Sequence, residues 1–291
     1  SSADGRWVVF RSFSPSLVAG DDNETSDVFL ADMNTGAVVL VSRAVDGGSG
    51  DAASFQSAIS DDGNWIVFAS DASDLVRGDT NGTRDVFLWN RVTRSITLVS
   101  QGAGGVPADG WSGSPDVSDG GSVVVFSSMA DNLVPHSTPK ATELFAWRRD
   151  TGVITRVSDR EPGVPLSSEL ADLGVSAGGD AVVFTAGRSW DRQIYLRSLS
   201  SDELTVVPVP EFAAAHDPQV SRPVLSSDGQ HVAYVVTGSD GQPVVGVWDV
   251  STNTSTLVSV RPDGTLPTQG VTQPSISADG RWIAFQTADG G

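Results

Sequence analysis

Ser60-Asp61-Asp62-Gly63-Asn64-Trp65-Ile66-Val67-Phe68 recurs along the chain, and the recurrence dictates the architecture. Close copies are Ser2-Ala3-Asp4-Gly5-Arg6-Trp7-Val8-Val9-Phe10 and Ser277-Ala278-Asp279-Gly280-Arg281-Trp282-Ile283-Ala284-Phe285. Reduced copies begin at Ser118-Asp119-Gly120-Gly121, Ser176-Ala177-Gly178-Gly179 and Ser226-Ser227-Asp228-Gly229, each ahead of an apolar run. The successive steps are 58, 58, 58, 50 and 51 residues. A fixed period of this size marks one supersecondary unit repeated, each copy burying its faces against the next.

The second repeat shows what the unit is. Ser54 to Ser60 reads as a short strand. Asp62-Gly63 marks a tight turn, since glycine tolerates positive φ. Trp65-Ile66-Val67-Phe68 is a second strand, and large residues in a row mean both faces are covered. A polar loop runs from Ser70 to Arg84. Asp85-Val86-Phe87-Leu88-Trp89 is the third strand, and Ser95 to Ser100 the fourth, with alternating polarity.

Third strands recur at Val28–Leu30, Leu144–Trp147, Ile194–Leu196 and Val245–Trp248. Fourth strands recur at Val38–Val41, Val153–Val157, Leu204–Val207 and Thr256–Val258. Turn chemistry sits between them, as at Asn34-Thr35-Gly36 and Asp150-Thr151-Gly152. No stretch carries a sustained 3.6-residue apolar period, so essentially no helix is predicted.

Four short antiparallel strands per repeat predict an all-β β-propeller. Five periods and a partial sixth favour six blades with the last incomplete. In a five-bladed ring Thr272 to Ile276 would complete the first blade, but Trp282 to Phe285 would then duplicate Trp7 to Phe10. The expected organisation is one domain over 1–291, with repeats at about 1–58, 59–116, 117–174, 175–224, 225–275 and a partial 276–291.

Composition narrows the function classes. The 291 residues carry 18 Lys plus Arg against 36 Asp plus Glu, a net charge of -18. No basic patch suits a phosphate backbone, so no nucleic-acid partner is expected. The acidity reads as a self-repelling soluble surface or as a setting for divalent cations. With no cysteine, disulfides, thiol nucleophiles and Cys-ligated zinc are excluded. No apolar run approaches the roughly 20 residues of a membrane span. No signal peptide is seen. Ser1 falls in mid-repeat, as a mature chain or an excised fragment would.

The pattern Ser-x-Asp-Gly-x-x-[Val/Ile]-x-Phe, a loop, Asp-Val-Phe-Leu, then Thr-x-x-Leu-Val-Ser resembles the TolB-like propeller repeat, the Ser-Pro-Asp-Gly class. The variant with Leu-Val-x-Gly-Asp-x-Asn before Asp-Val-Phe is similar to repeats in exported bacterial proteins. The resemblance covers the whole chain and implies a secreted, periplasmic or cell-surface location. The usual Pro is replaced by Ala, Asp or Ser here, and Asp by Gly120 and Gly178. Propellers host many unrelated functions, so the motif speaks for fold more than activity.

The richest local motif is the loop before the third strand. It reads Gly20-Asp21-Asp22-Asn23-Glu24-Thr25-Ser26-Asp27 in repeat one and Gly78-Asp79-Thr80-Asn81-Gly82-Thr83-Arg84-Asp85 in repeat two. Asp21, Asn23 and Asp27, and Asp79, Asn81 and Asp85, place side-chain oxygens as the opening of a calcium loop does, with Asp22 a further candidate. The bidentate Glu near position 12 is missing, and an Asx-turn anchoring the strand explains the same residues. Both readings stand at this stage. The third repeat keeps only the last acid, Glu143, after His136 to Thr142; repeats four and five have the shorter Arg188-Ser189-Trp190-Asp191 and Ser239-Asp240-Gly241-Gln242.

Catalytic signals are sparse. His231 is read as a surface strand residue at the position of Arg6 and Asn64. His216-Asp217 precedes a first strand. No Gly-x-Ser-x-Gly elbow is present. Paired carboxylates cleaving carbohydrate would come from Asp109, Asp116, Glu169, Asp172 or Asp217. Periodic Trp7, Trp65 and Trp282, and Trp89, Trp147 and Trp248, read as packing between blades. Trp111 and Trp190 break the repeat and are the candidates for carbohydrate or protein contact. Asn23, Asn81 and Asn253 begin Asn-x-Ser/Thr sequons.

The reading that follows is a non-catalytic, exported binding or scaffold propeller that recognises a protein or glycan, with calcium in two loops. The alternatives are a carbohydrate-active hydrolase or lyase and a propeller domain of a larger peptidase or receptor.

Overall fold

The computed structural model describes residues 1–135, 141–161, 164–165, 169–188, 191–210, 218–238, 241–261, 263–267 and 270–287. They divide into two compact units, Ser1–Ser158 and Asp159–Gly291. The described secondary structure is β throughout, apart from a single 3-10 turn at Asp119–Gly121.

The first unit holds three antiparallel sheets. The first joins β1 (Trp7–Ser12), β2 (Asp27–Asp32) and β3 (Val38–Leu40). The second joins β4 (Ser54–Ile59), β5 (Trp65–Ser70), β6 (Asp85–Asn90) and β7 (Ile96–Leu98) in sequence order. The third repeats that order with β8 (Ser112–Val117), β9 (Val123–Ser128), β10 (Glu143–Arg148) and β11 (Ile154–Arg156).

The second unit opens with a hairpin of β12 (Asp159–Glu161) and β13 (Val164–Pro165). Two four-stranded sheets follow: β14 (Ala171–Val175) to β17 (Leu204–Val206) through β15 (Ala181–Ala186) and β16 (Gln193–Ser198), then β18 (Gln219–Leu225), β19 (His231–Thr237), β20 (Pro243–Asp249) and β21 (Thr254–Leu257). A two-stranded sheet of β22 (Val271–Ile276) and β23 (Ile283–Thr287) ends the series. The predicted strand order therefore holds within each repeat, with three strands in the first and two in the last, whereas the β12–β13 hairpin was not predicted.

Four of the sheets carry an aromatic pair between equivalent strands, whereas in the β18–β21 sheet Tyr234 faces Gly246. Phe10–Phe29, Phe68–Phe87, Phe126–Phe145 and Phe184–Tyr195 stack at 5.6 to 5.7 Å. Such pairs contribute about 0.5–1.5 kcal/mol beyond burial. Faces pack between successive sheets: Val28 and Leu30 meet Ile66 and Phe68, and Val67 and Leu88 meet Val124 and Phe126. That explains why whole strands are apolar instead of alternating.

The recurrent motif also joins neighbouring sheets. Ser60 Oγ donates to Asp62 at 2.5 Å and accepts the Trp65 N–H at 3.1 Å, which shapes the turn. A Cβ on Gly63, at φ +67°, would lie 2.5 Å from the Trp7 ring, so glycine lets that tryptophan slide over the turn. Arg91 covers the other face at 4.1 Å while its Nε donates to Gly63 O. Gly121, Trp65 and Arg149 repeat the arrangement.

His231 corrects the sequence reading. It pairs with Asp249 as Trp7 pairs with Asp32 and Trp65 with Asn90, and it packs against Gly280. It occupies the tryptophan position; Gln230 holds that of Arg6.

No predicted strand carries a signal for the bulges. The first strands shift register around Gln56, Ser114, Asp172, Arg222 and Gln273, whose φ values run from +31° to +54°. Positive φ is uncommon outside glycine, and a bulge re-aims the side chains beside it. Some bulges are tied together: Gln56 Oε1 accepts the Ser114 N–H at 3.0 Å.

Candidate functional site

Two features of the first unit concentrate chemistry: the loops ahead of β2 and β6, and a groove beside β3.

The loop ahead of β2 is held by its asparagine. Asn23 Oδ1 accepts the Thr25 N–H at 2.9 Å, an Asx-turn, while Nδ2 donates to Gly50 O at 2.7 Å. Asn81 does the same with Thr83 and Ala108, at 3.0 and 2.8 Å. Both asparagines thus lace the loop to the strand entry of the following repeat.

The acids are buried deeper. Asp27 and Asp85 are fully buried where β2 and β6 begin, and Asp21 and Asp79 are nearly so. Ser42 Oγ donates to Asp27 Oδ1 at 2.6 Å while accepting the Val28 N–H; Ser100 treats Asp85 and Val86 likewise, at 2.5 and 2.9 Å. Burial, opposed by that hydroxyl and by the nearby Asn23, pushes the Asp27 carboxyl up, with Asp21's charge adding to the rise. Burial pushes Asp85 up to about 7, against hydrogen bonds from Ser100 and Asn81 and with repulsion from Asp79. Asp21 and Asp79 are raised too, mainly by burial.

Four oxygens in these loops are buried without a hydrogen-bond partner: Thr25 Oγ1 and Asp27 Oδ2 in the first, Thr83 Oγ1 and Asp79 Oδ1 in the second. Asp22 lies at the side, sharing a 3.3 Å contact with Ser49. Among the described residues no three His, Asp or Glu side chains converge as a metal set. Each loop instead offers two carboxylates and a hydroxyl.

The groove is a cavity of about 640 Å³ between the first and second sheets. Val38, Val39 and Leu40 form one wall, Trp89 and Ile96 the other, and Leu75 and Val76 extend the apolar surface. Arg43, Arg77 and Arg94 also line it. Arg43 Nε donates to Gly47 O at 2.6 Å. Arg77 and Arg94 are exposed and make no ion pair among the described residues. Sequence reasoning did not find this groove, because Arg43 comes from the first repeat and Arg77 and Arg94 from two separate loops of the second.

Other candidates are dispersed. Trp111 directly precedes β8 and is half-buried, its ring against Gly113, so it does not stand free in a loop. Trp190, His136, His216 and Asp217 lie outside the described residues. Asp109 accepts the Asp131 N–H at 2.7 Å, and Asp116 caps the Val117 N–H next to it. Asp172 accepts from Thr185 Oγ1 at 3.1 Å, and Glu169 lies 3.6 Å from Arg192. Trp89, Trp147 and Trp248 are buried in the core, whereas Trp282 is 74% exposed. No helix among the described residues is long and apolar enough to cross a membrane.

No family model and no curated protein sequence matches the chain. Solved structures do. TolB from Acinetobacter baumannii is 17% identical with a TM-score of 0.54, covering 98% of this chain and 64% of that one. An oligogalacturonate lyase in complex with manganese is 16% identical with a TM-score of 0.64, over 97% of this chain and 68% of that one. A structure from an analysis of two prolyl endopeptidases is 13% identical with a TM-score of 0.54, over 99% and 35%. The chain thus spans about two thirds of the TolB and lyase structures. At such identities the likeness establishes a shared propeller fold, and the variety of the relatives leaves the activity to the site.

Proposed function

We propose that this chain is a non-catalytic binding or scaffold propeller acting outside the cytoplasm, and that it holds an acidic, partly apolar segment of a partner protein in the arginine-lined groove. The observation that carries the reading is the pairing of apolar walls with Arg77 and Arg94 in a chain of net charge -18. Cations left without carboxylate partners on an acidic protein favour an anionic ligand, and the walls of Val38, Leu40 and Trp89 favour apolar side chains. The cavity falls in the range of roughly 300–1,000 Å³ typical of ligand sites.

The test uses a fluorescent peptide alternating Glu and Leu, with polygalacturonate and a neutral glycan as competitors. Anisotropy should report saturable binding that weakens with salt and drops at least tenfold in Arg77→Glu/Arg94→Glu. Displacement by polygalacturonate but not by the neutral glycan would show that charge dominates. A peptide that binds the double variant equally well, or not at all to the parent, overturns the proposal, as would preferential binding of the neutral glycan.

A further inference from the structure

The loops ahead of β2 and β6 lend Val18, Ala19, Leu75, Val76 and Arg77 to the groove, but the buried oxygens further along them raise a separate question. A buried carboxylate is costly unless a cation or a full set of donors compensates it. Asp27 and Asp85 each receive a serine hydroxyl, and Asp85 also the Asn81 amide, yet neither meets a positive side chain among the described residues. A second acid lies nearby in each loop, so the local charge is doubled.

The third repeat shows what the position requires. Glu143 opens β10 opposite Ser128, as Asp27 opens β2 opposite Ser12 and Asp85 opens β6 opposite Ser70. Glu143 is paired with Arg156 at 2.9 Å, both side chains at most 5% exposed. Arg156 stands where Leu40 and Leu98 stand in the first two repeats, each pairing with the phenylalanine two residues past the acid. In repeats four and five the acid itself is gone, replaced by Gln193 and Val244. The buried acid is therefore either absent or matched by an internal cation, except in the two repeats that keep the full Asp-x-Asn-x-x-x-Asp loop.

The unpartnered atoms agree. All four are oxygens, and the threonine is orphaned at the same position in both loops. Asn23 and Asn81 already spend both polar groups on the loop, leaving the acids and hydroxyls to face an ion.

We propose that each loop is a site for a hard divalent cation of calcium's chemistry, held by Asp21, Asp27 and Thr25 in one and by Asp79, Asp85 and Thr83 in the other, with Asn23 and Asn81 as positioning residues. Calcium takes six to eight oxygens, so main-chain carbonyls and water complete the shell. The ion does for these repeats what Arg156 does for the third.

The test is calorimetric titration of chelator-treated protein with CaCl2, with MgCl2 in parallel, alongside melting curves. One calcium per loop is expected, with a melting temperature that rises with calcium, because a ligand of the native state alone stabilises it. Asp27→Asn and Asp85→Asn should each abolish one equivalent. Thr25→Val and Thr83→Val, which remove only an orphan hydroxyl, should keep the fold and weaken the matching site about tenfold. A transplant of the third-repeat pair, Asp85→Glu with Leu98→Arg, should remove calcium dependence from the second loop alone. Absence of heat and of any melting shift at about 10 mM of either ion overturns the proposal. Calcium binding that survives both aspartate variants does so equally. Neither result depends on whether the groove binds its peptide.

Discussion

Repeats two and three place a buried acid at the same point of the same strand and compensate it differently. Asp85 is surrounded by hydroxyl and amide groups and is pushed up to about 7. Glu143 has Arg156 at 2.9 Å. One repeat carries its counter-charge on its own fourth strand; the other leaves oxygens facing inward. The lesson is that a repeat can lose a loop without losing its fold, provided the charge the loop served is dealt with inside the sheet.

The sharpest break of that comparison is Arg156→Met. It strands Glu143 in a dry site, and losing one partner of a buried pair costs about 3–5 kcal/mol. The denaturation midpoint should fall accordingly, and calcium should not restore it. Replacing both partners, Glu143→Gln with Arg156→Met, should recover most of the loss, since an apolar or neutral pair of similar volume is often as stable. Equal stability of the single and double variants would show that the pair carries no coupling.

Removing the acid should act with opposite signs in the two repeats. In chelator at pH 8, Asp85→Asn should raise the melting temperature, because it deletes a charge whose folded-state affinity for protons lies above the ordinary value of 3.8. For such a raised acid, stability is greatest below the unfolded value and is lost as pH rises toward about 7, at roughly 1.4 kcal/mol per unit. The advantage of Asp85→Asn should therefore vanish near pH 4. Glu143→Gln should lower the melting temperature instead, leaving Arg156 buried without its carboxylate. A fall in both variants would mean that the two acids are compensated alike.

The serines extend the contrast at smaller scale. Ser100 donates to Asp85 and accepts from Val86, whereas Ser158 accepts the Leu144 N–H at 3.1 Å beside an acid that already has Arg156. Ser100→Ala should cost about 1–3 kcal/mol in chelated protein, the penalty of a stranded buried acceptor. Ser158→Ala should cost about 1 kcal/mol. Urea midpoints for the two variants decide it, and a larger loss at Ser158 reverses the reading.

These contrasts mark where sequence reasoning stops. The strands were legible because the Ser-x-Asp-Gly turn and the apolar run after it are local signals, repeated at nearly fixed spacing. The two Asp-x-Asn loops were legible as motifs for the same reason, although their asparagines turned out to brace the loop. What was hidden is long-range. Ser42 and Ser100 reach acids 15 residues earlier, Arg156 meets Glu143 across two strands, and Arg43, Arg77 and Arg94 converge only when two sheets pack. The positive-φ bulges at Gln56, Ser114, Asp172, Arg222 and Gln273 were invisible because none is glycine. His231 was misplaced by one position because a histidine in a tryptophan slot lacks the volume that marks the slot.

The smallest expected effect concerns Asp32, a buried acid compensated by an arginine that stays exposed to solvent. Arg6 Nε and Nη2 donate to the two Asp32 oxygens at 3.1 and 2.9 Å, and this hydrogen bonding, ahead of the opposing burial, holds the Asp32 carboxyl down at about 2. The sign is opposite to that of Asp85. A depressed acid contributes stability above its unfolded value near 3.8, and that contribution is lost as pH falls through about 2. Arg6→Met should therefore lower stability by a small, nearly constant amount above about pH 4, a difference that fades as pH falls to about 2, the amount being small because the partly exposed guanidinium is screened. Melting curves across that window, with and without 1 M NaCl, supply the check. If salt mimics the substitution, charge is what surface compensation provides. If it does not, the forked hydrogen bonds matter more than the charge, and the same distinction would then apply to the buried Glu143–Arg156 pair.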